Sequence, residues 1–342
     1  MESRFVEELD EETLRCTICP RMCAMKPGQK GFCGTKRHVD GKIEDLTYGE
    51  ISAIAVDPIE KKPLAHFYPG SKALSISSVG CSFTCPWCQN CHHSMAELED
   101  SRTRYMDPEE VVEAAKDKAC LSIAYTYNEP LINLNYVEDV ARLAHSDRLK
   151  NVLVTNGYIS IDALGEVVDV IDAANVDWKS FSMEFYRKHC SGELQDVLNA
   201  TKYMNDHGVH IEVTFLVIPE QGDVIQEARE MAEYMVENLG ESTPLHLSRF
   251  FPQYKFTHIP PTPLDILKDA REIAMEVGLQ YVFIGNVRER GFEDTLCPEC
   301  GKHVVERRGY HISGWHLDEE GRCEKCGAPI NIVGANGGRP NH

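Results

Sequence analysis

The sequence predicts an α/β protein. Its centre is a partial (βα)6 TIM-like barrel, preceded by a small Cys-rich segment and followed by a zinc-ribbon-like domain. Three observations lead there. From residue 73 to about 288, short apolar runs alternate with amphipathic stretches, the pattern of βαβ units around a parallel sheet. Most of the 14 cysteines fall into three tight groups. One group precedes the alternating region, one follows its first strand, and one comes after its end. The expected divisions are 1–70, 71–292 and 293–342. With 342 residues, the chain can bury a core without covalent staples, so the cysteines need another explanation.

Residues 1–50 are punctuated by Cys and Gly and only weakly periodic. The stretch up to residue 70 carries DPIEKKPLAHFYPGS, which reads as a proline-rich connector. Its Lys61, Lys62 and His66 either line the mouth of a site or sit in solvent. Seven apolar runs then read as strands: 73–79, 121–127, 151–156, 175–178, 210–218, 244–250 and 281–285. Helical patterns lie between them. Asp107 is placed to cap the first, with Pro108 at its first position. Others cover 135–146, 161–174, 192–208 (ending on Gly208 as a C-cap), 223–238 and 264–278. Ligands of such barrels sit at the C-terminal ends of the strands. The tail after Pro329 reads as flexible.

The formal net charge of -19 argues against a broad basic face, hence against nucleic acid or anionic membranes as partners. No run approaches 18 apolar residues, so no membrane span is expected. The acidic start, MESRFVEELDEETLRC, lacks the apolar core of a signal peptide. A cytoplasmic location follows as the expectation. In a reducing compartment, clustered cysteines are metal ligands rather than disulfides. Cys120 and Cys190 stand alone and read as small buried hydrophobes.

GCSFTCPWCQN places Cys81, Cys85 and Cys88 in a loop directly after the first strand. Thiolates suit iron–sulfur clusters and zinc. A 4Fe-4S cluster takes four thiolates, so three in one loop leave one iron open to another ligand. A structural zinc would need closing by Cys91, His92 or His93. Cys297-x2-Cys300-x22-Cys323-x2-Cys326 is a paired knuckle, each half followed by Gly, and reads as a zinc ribbon. Cys16, Cys19, Cys23 and Cys33 form a four-thiolate set that fits zinc or an auxiliary iron–sulfur cluster.

The Cys-x3-Cys-x2-Cys spacing, with an aromatic before the last Cys, resembles the signature of the radical SAM superfamily. So do TYNEP (126–130), TNG (155–157) and DWK (177–179), each at the end of a predicted strand. The resemblance implies a barrel of the radical SAM type. It implies a 4Fe-4S cluster on Cys81, Cys85 and Cys88, whose fourth iron binds S-adenosylmethionine. Reductive cleavage would yield a 5′-deoxyadenosyl radical that abstracts hydrogen from a substrate. The cofactor-binding candidates are Glu129 for the methionine amino group, assisted by Asn128 and Thr126, then Lys179, Asp177 and Asn156 for carboxylate and ribose. Each is also a capping or turn residue type at a strand end. His246 and Arg249 are weaker candidates, since an ideal strand points them to opposite faces. Trp87 is expected beside the cluster.

A closer likeness, to the radical SAM enzyme of the AmmeMemoRadiSam system, rests on CTICPRMCAMKPGQKGFCGTK, YGEISAIAVDPIEKKPLAHFYPGS, HLSRFFPQYK and CPECGKHVVERRGY. It implies Memo-type and Ammecr-type protein partners and an external electron donor such as ferredoxin or flavodoxin. The chain also resembles pyruvate formate-lyase activating enzymes. That gives the rival expectation of a glycyl-radical-enzyme activase.

Overall fold

The computed structural model describes residues 1–336. Seven parallel strands form one sheet, in the order of the chain: Lys72–Ser77, Ser122–Tyr125, Lys150–Thr155, Ala173–Trp178, His210–Val217, Leu245–Arg249 and Val282–Gly285. Each of the seven apolar runs becomes one strand. An eighth strand, Ala53–Pro58, lies antiparallel along the first, pairing Ala55 with Ser75. It falls where a connector was expected.

Strand alternation divides the sheet into two unlike faces. One face carries Leu74, Ile76, Ile123, Tyr125, Leu153, Val176, Trp178, Val213 and Leu247, which join the main apolar core. Helices cover it: Pro108–Asp117, Leu134–Ser146, Leu194–Asp206, Val224–Asn238 and Leu264–Val277. Asp107 and Glu110 form a capping box at the first of these. The 161–174 stretch does not make one helix. Its helix ends at Gly165, a short 3-10 turn covers Val168–Val170, and Ala173 already belongs to the next strand. Gly165 and β-branched Val167 and Val168 weaken a helix there.

The other face is lined at the start of its strands by Ala73, Ala124, Val152 and Ala173. These small side chains leave space, and Ile59, Leu64 and Phe67 fill it. The segment 59–68 is therefore a plug inside the barrel, not a solvated connector. Its backbone is tied in place. The Ala65 and His66 amides donate to Glu212 at 2.9 and 2.7 Å, and Asn175 Nδ2 donates to the Pro63 carbonyl at 2.8 Å. His66 is fully buried and meets Thr295 Oγ1 at 3.0 Å, so it lines no mouth.

The C-terminal piece is a three-stranded antiparallel sheet built on His303–Arg308 and His311–Trp315. It shares a core with Tyr281, Phe283 and Ala65. Buried Arg307 donates to the Ala65 carbonyl at 2.7 Å. The residues after Pro329 are packed rather than loose. Ile330, Ile332 and Ala335 are buried, and Val333 pairs in parallel with Phe67. The expected flexibility of 337–342 lies outside the described residues. At the other end, Val6–Glu8, Leu14–Cys16 and Ala24–Met25 form a small sheet beside the hairpin of Lys36–Val39 and Lys42–Asp45. No helix among the described residues is long and apolar enough to cross a membrane.

Candidate active site

The cysteine loop leaves the first parallel strand through Gly80, which has φ +87. A Cβ there would stand 2.5 Å from Thr35 Cγ2 and 2.6 Å from the Cys33 carbonyl. Gly80→Ala is therefore expected to cost at least about 2 kcal/mol, from the left-handed backbone and the clash together. Urea denaturation and iron content check this. Wild-type stability with full iron would show that the loop has room.

Cys81, Cys85 and Cys88 line one cavity of about 400 Å³ at the C-terminal ends of the strands. The Phe83 amide donates to Cys81 Sγ at 3.3 Å, and Ser94 Oγ lies 3.0 Å from Cys88 Sγ. Cys85 donates to Cys190 Sγ at 3.8 Å; that bond and then burial push its pKa up. Burial, then the charge of Glu129, does the same for Cys81, and burial raises Cys88. Thiols held neutral in this way become thiolates on binding a metal, which suits a soft cluster. Trp87 is buried against Phe185 and Phe256, with ring centroids 5.2 and 5.5 Å away. Cys190 and Cys120 are both buried, as expected of lone cysteines.

The strand-end candidates divide by environment. Glu129 is buried and faces the cavity. Its Oε1 accepts from Thr155 Oγ1 at 2.7 Å and the Leu131 amide at 3.0 Å, and its Oε2 accepts from the Asn156 amide at 2.7 Å. Burial outweighs these bonds and raises its pKa to about 7. Roughly one acceptor position of its four is left for a ligand. Lys179 and Asp177 form an ion pair at 2.9 Å in the same cavity. Burial opposes the charge on Lys179, but Asp177 first, with the nearby sulfurs of Cys85 and Cys190, outweighs it and moves the pKa up. Asn156 Nδ2 donates to Ser82 Oγ at 3.1 Å and lies 3.6 Å from Cys81 Sγ. Thr126 lines the wall.

Asn128 is also at the wall, but its amide is occupied. Its Oδ1 accepts from the Ser78 amide at 3.1 Å, and its Nδ2 donates to the Val79 and Gly80 carbonyls at 3.3 Å. It braces the start of the cysteine loop. His246 and Arg249 do not reach this cavity. His246 donates to Glu212 at 2.6 Å and borders an adjoining pocket, while Arg249 turns to the Thr262 carbonyl at 2.7 Å. They stand three positions apart along a strand, an odd step, so they take opposite faces.

Lys61 and Lys62 line the cavity, the first of the two readings the sequence offered for them, but sequence reasoning missed the carboxylate that holds them. Asp57 accepts from Lys61 at 2.8 Å, Lys62 at 2.7 Å, Tyr127 Oη at 2.6 Å and Ser75 Oγ at 2.7 Å. Burial works against this carboxylate, yet its donors hold it well below the usual range. Lys62 is buried, and burial pulls its pKa down. Tyr310, from the C-terminal sheet, completes the rim. The left-handed φ of +70 at Tyr127 accompanies its inward turn, but nothing local in the sequence marks Asp57 or Tyr310.

The two outer cysteine sets differ in geometry. The sulfurs of Cys297, Cys300, Cys323 and Cys326 lie within 4.8 Å of one another, a group that can hold a metal ion. Cys16, Cys19, Cys23 and Cys33 line a separate small pocket.

The model of the radical SAM superfamily matches residues 75–235. The uncharacterized protein MJ0808 of Methanocaldococcus jannaschii is 41% identical over 333 residues, 97% of this chain and 99% of that protein. A domain of a pyruvate-formate lyase-activating enzyme from Bacteroides vulgatus superposes with a TM-score of 0.43 at 13% identity, covering 48% of this chain and 99% of that one. SuiB from Streptococcus suis, solved with S-adenosylmethionine, gives 0.49 at 14% identity over 65% of this chain and 50% of that one. With the family's three cysteines gathered at one cavity on the expected ends of the strands, the chain belongs to the radical SAM superfamily and is an enzyme of that class.

Proposed function

We propose that this chain reductively cleaves S-adenosylmethionine and directs the resulting radical at a substrate in the main cavity. The observation that carries this is the convergence of Cys81, Cys85, Cys88, Glu129 and the Asp177–Lys179 pair on one space. Cys81, Cys85 and Cys88 would hold a 4Fe-4S cluster which, when bound and reduced, would supply one electron to S-adenosylmethionine, so that its C5′–S bond breaks into methionine and a 5′-deoxyadenosyl radical. The chain's own residues bind and orient. Glu129, as a carboxylate, accepts from the methionine ammonium. Lys179, held by Asp177, pairs with the methionine carboxylate. Trp87, Phe185 and Phe256 keep water from the cluster side.

The closer likeness supports a finer reading, an enzyme of the AmmeMemoRadiSam type. It would work in the cytoplasm with Memo-type and Ammecr-type proteins, fed by a ferredoxin or flavodoxin. We assign zinc to the four C-terminal thiols. A single tetrahedral zinc places its sulfurs roughly 3.8 Å apart, and these lie within 4.8 Å.

The test is anaerobic. The reconstituted protein is given dithionite and S-adenosylmethionine, and 5′-deoxyadenosine is quantified. Product is expected from the wild type and none above background from Cys85→Ala. A fully loaded cluster that yields no product, with or without the two partner proteins, would sink the reading. A glycine-centred radical on an added protein would favour the activase alternative.

A further inference from the structure

The four N-terminal cysteines come from separate short elements yet end around one pocket. Cys16 closes the strand Leu14–Cys16, Cys19 and Cys23 sit in the turn that follows, and Cys33 lies in the loop before Lys36–Val39. All four are free thiols. Arg21, Phe32, Lys36 and Ile132 are among the other residues of the wall. The Phe32 amide points at Cys23 Sγ from 3.5 Å, and Thr35 Oγ1 lies 3.1 Å from Cys33 Sγ. Such donors stabilise sulfur that carries negative charge. Lys36 is 1% exposed, an ammonium in the pocket wall paired with Asp45 at 2.7 Å. It supplies positive charge where an anionic metal–thiolate group would sit.

The spacing of the sulfurs separates one ion from a cluster. Thiolates on a single zinc stand roughly 3.8 Å apart. Thiolates on a four-iron cluster each take a different iron and stand farther apart. This chain contains its own comparison. Among the described residues, the C-terminal four are the group of three or more ligand types whose donor atoms all lie within 4.8 Å. Among the described residues, neither Cys16, Cys19, Cys23 and Cys33 nor Cys81, Cys85 and Cys88 meet that limit, although each set lines one pocket.

We propose that Cys16, Cys19, Cys23 and Cys33 bind a second 4Fe-4S cluster with all four irons held by protein. It shares a wall with the catalytic loop. The Cys33 carbonyl abuts Gly80, and Arg21 donates to the Ser82 carbonyl at 3.0 Å, on either side of Cys81. On its outer side Phe32 is 45% exposed beneath the Arg21 guanidinium, 3.5 Å from the ring centroid. The second site does not depend on the reaction proposed for the first.

The experiment is a metal count on full-length protein made and purified anaerobically. The wild type is expected to hold about eight irons, about eight acid-labile sulfides and about one zinc per chain. The triple variant Cys81→Ala, Cys85→Ala, Cys88→Ala is expected to keep about four irons and about one zinc. After dithionite it should show the EPR signal of a reduced 4Fe-4S cluster. About four irons with about two zincs in the wild type would overturn the proposal, because the N-terminal set then holds zinc. A folded triple variant without iron would overturn it too. Should the triple variant not fold, the wild-type iron-to-zinc ratio decides. Formation of 5′-deoxyadenosine that persists in the triple variant would count against the catalytic reading only.

Discussion

Glu212→Ala is expected to destabilise the chain by about 3–5 kcal/mol, the scale for removing one partner of a buried charged network. Glu212 is fully buried at the start of a central strand. It accepts from the Ala65 and His66 amides, from His210 Nε2 at 3.0 Å and from His246 Nε2 at 2.6 Å. Alanine would strand two buried amides and release the plug that fills the barrel. Glu212→Gln keeps the volume and part of the bonding, so it should cost less. Burial works against the carboxylate, but His210 and His246 hold its pKa well below the usual range. The sign follows from that depression. The stabilisation is present above the ordinary value near 4.5 and is lost as pH falls toward the folded pKa. Urea denaturation at neutral and acid pH measures both. A loss below about 1 kcal/mol for the alanine variant would contradict the network.

Glu129 should make S-adenosylmethionine binding depend on pH. Its pKa is raised to about 7 by burial, so below that pH the free protein carries it as an acid. Binding a cationic amine then requires a proton to leave. Affinity is expected to fall about tenfold per unit below pH 7 and to level off above it. Glu129→Gln should remove this dependence and weaken binding by about 10- to 100-fold, the worth of a charge-assisted hydrogen bond. Calorimetry of the cluster-loaded protein in buffers of different ionisation heat reads both affinity and proton release. A flat pH profile for the wild type would remove Glu129 from the binding of the amine. The raised pKa also has a cost. Glu129 stabilises the fold most at low pH, and that contribution declines between about 4.5 and about 7.

The seven parallel strands were legible because each carries a short apolar run between helical patterns, as strands covered by helices do. The edge strand Ala53–Pro58 was not. Its Ile54 and Val56 are 46% and 42% exposed, and it runs into a stretch of prolines and lysines that reads as a linker. The 161–174 segment was misread because its valines fit a helical period while Gly165 ends the helix. In the site, motifs that follow a strand could be placed from the sequence, since the barrel brings strand ends together. Asp57, Tyr127 and Tyr310 could not, because they meet only across the fold. His246 looked like a site residue but faces the buried Glu212. The packing of Ile332 against the plug depends on a return of the chain that no local pattern records.

The alanines at the foot of the barrel separate two tasks. The strand tips hold the cysteines and their neighbours, while the depth of the chamber beneath them is set by a short insert, 59–68, that belongs to no barrel strand. A related chain could therefore acquire a deeper or shallower chamber by exchanging that insert alone. The radical-generating end would be inherited unchanged, and selectivity for the reacting molecule would become a modular property of the floor.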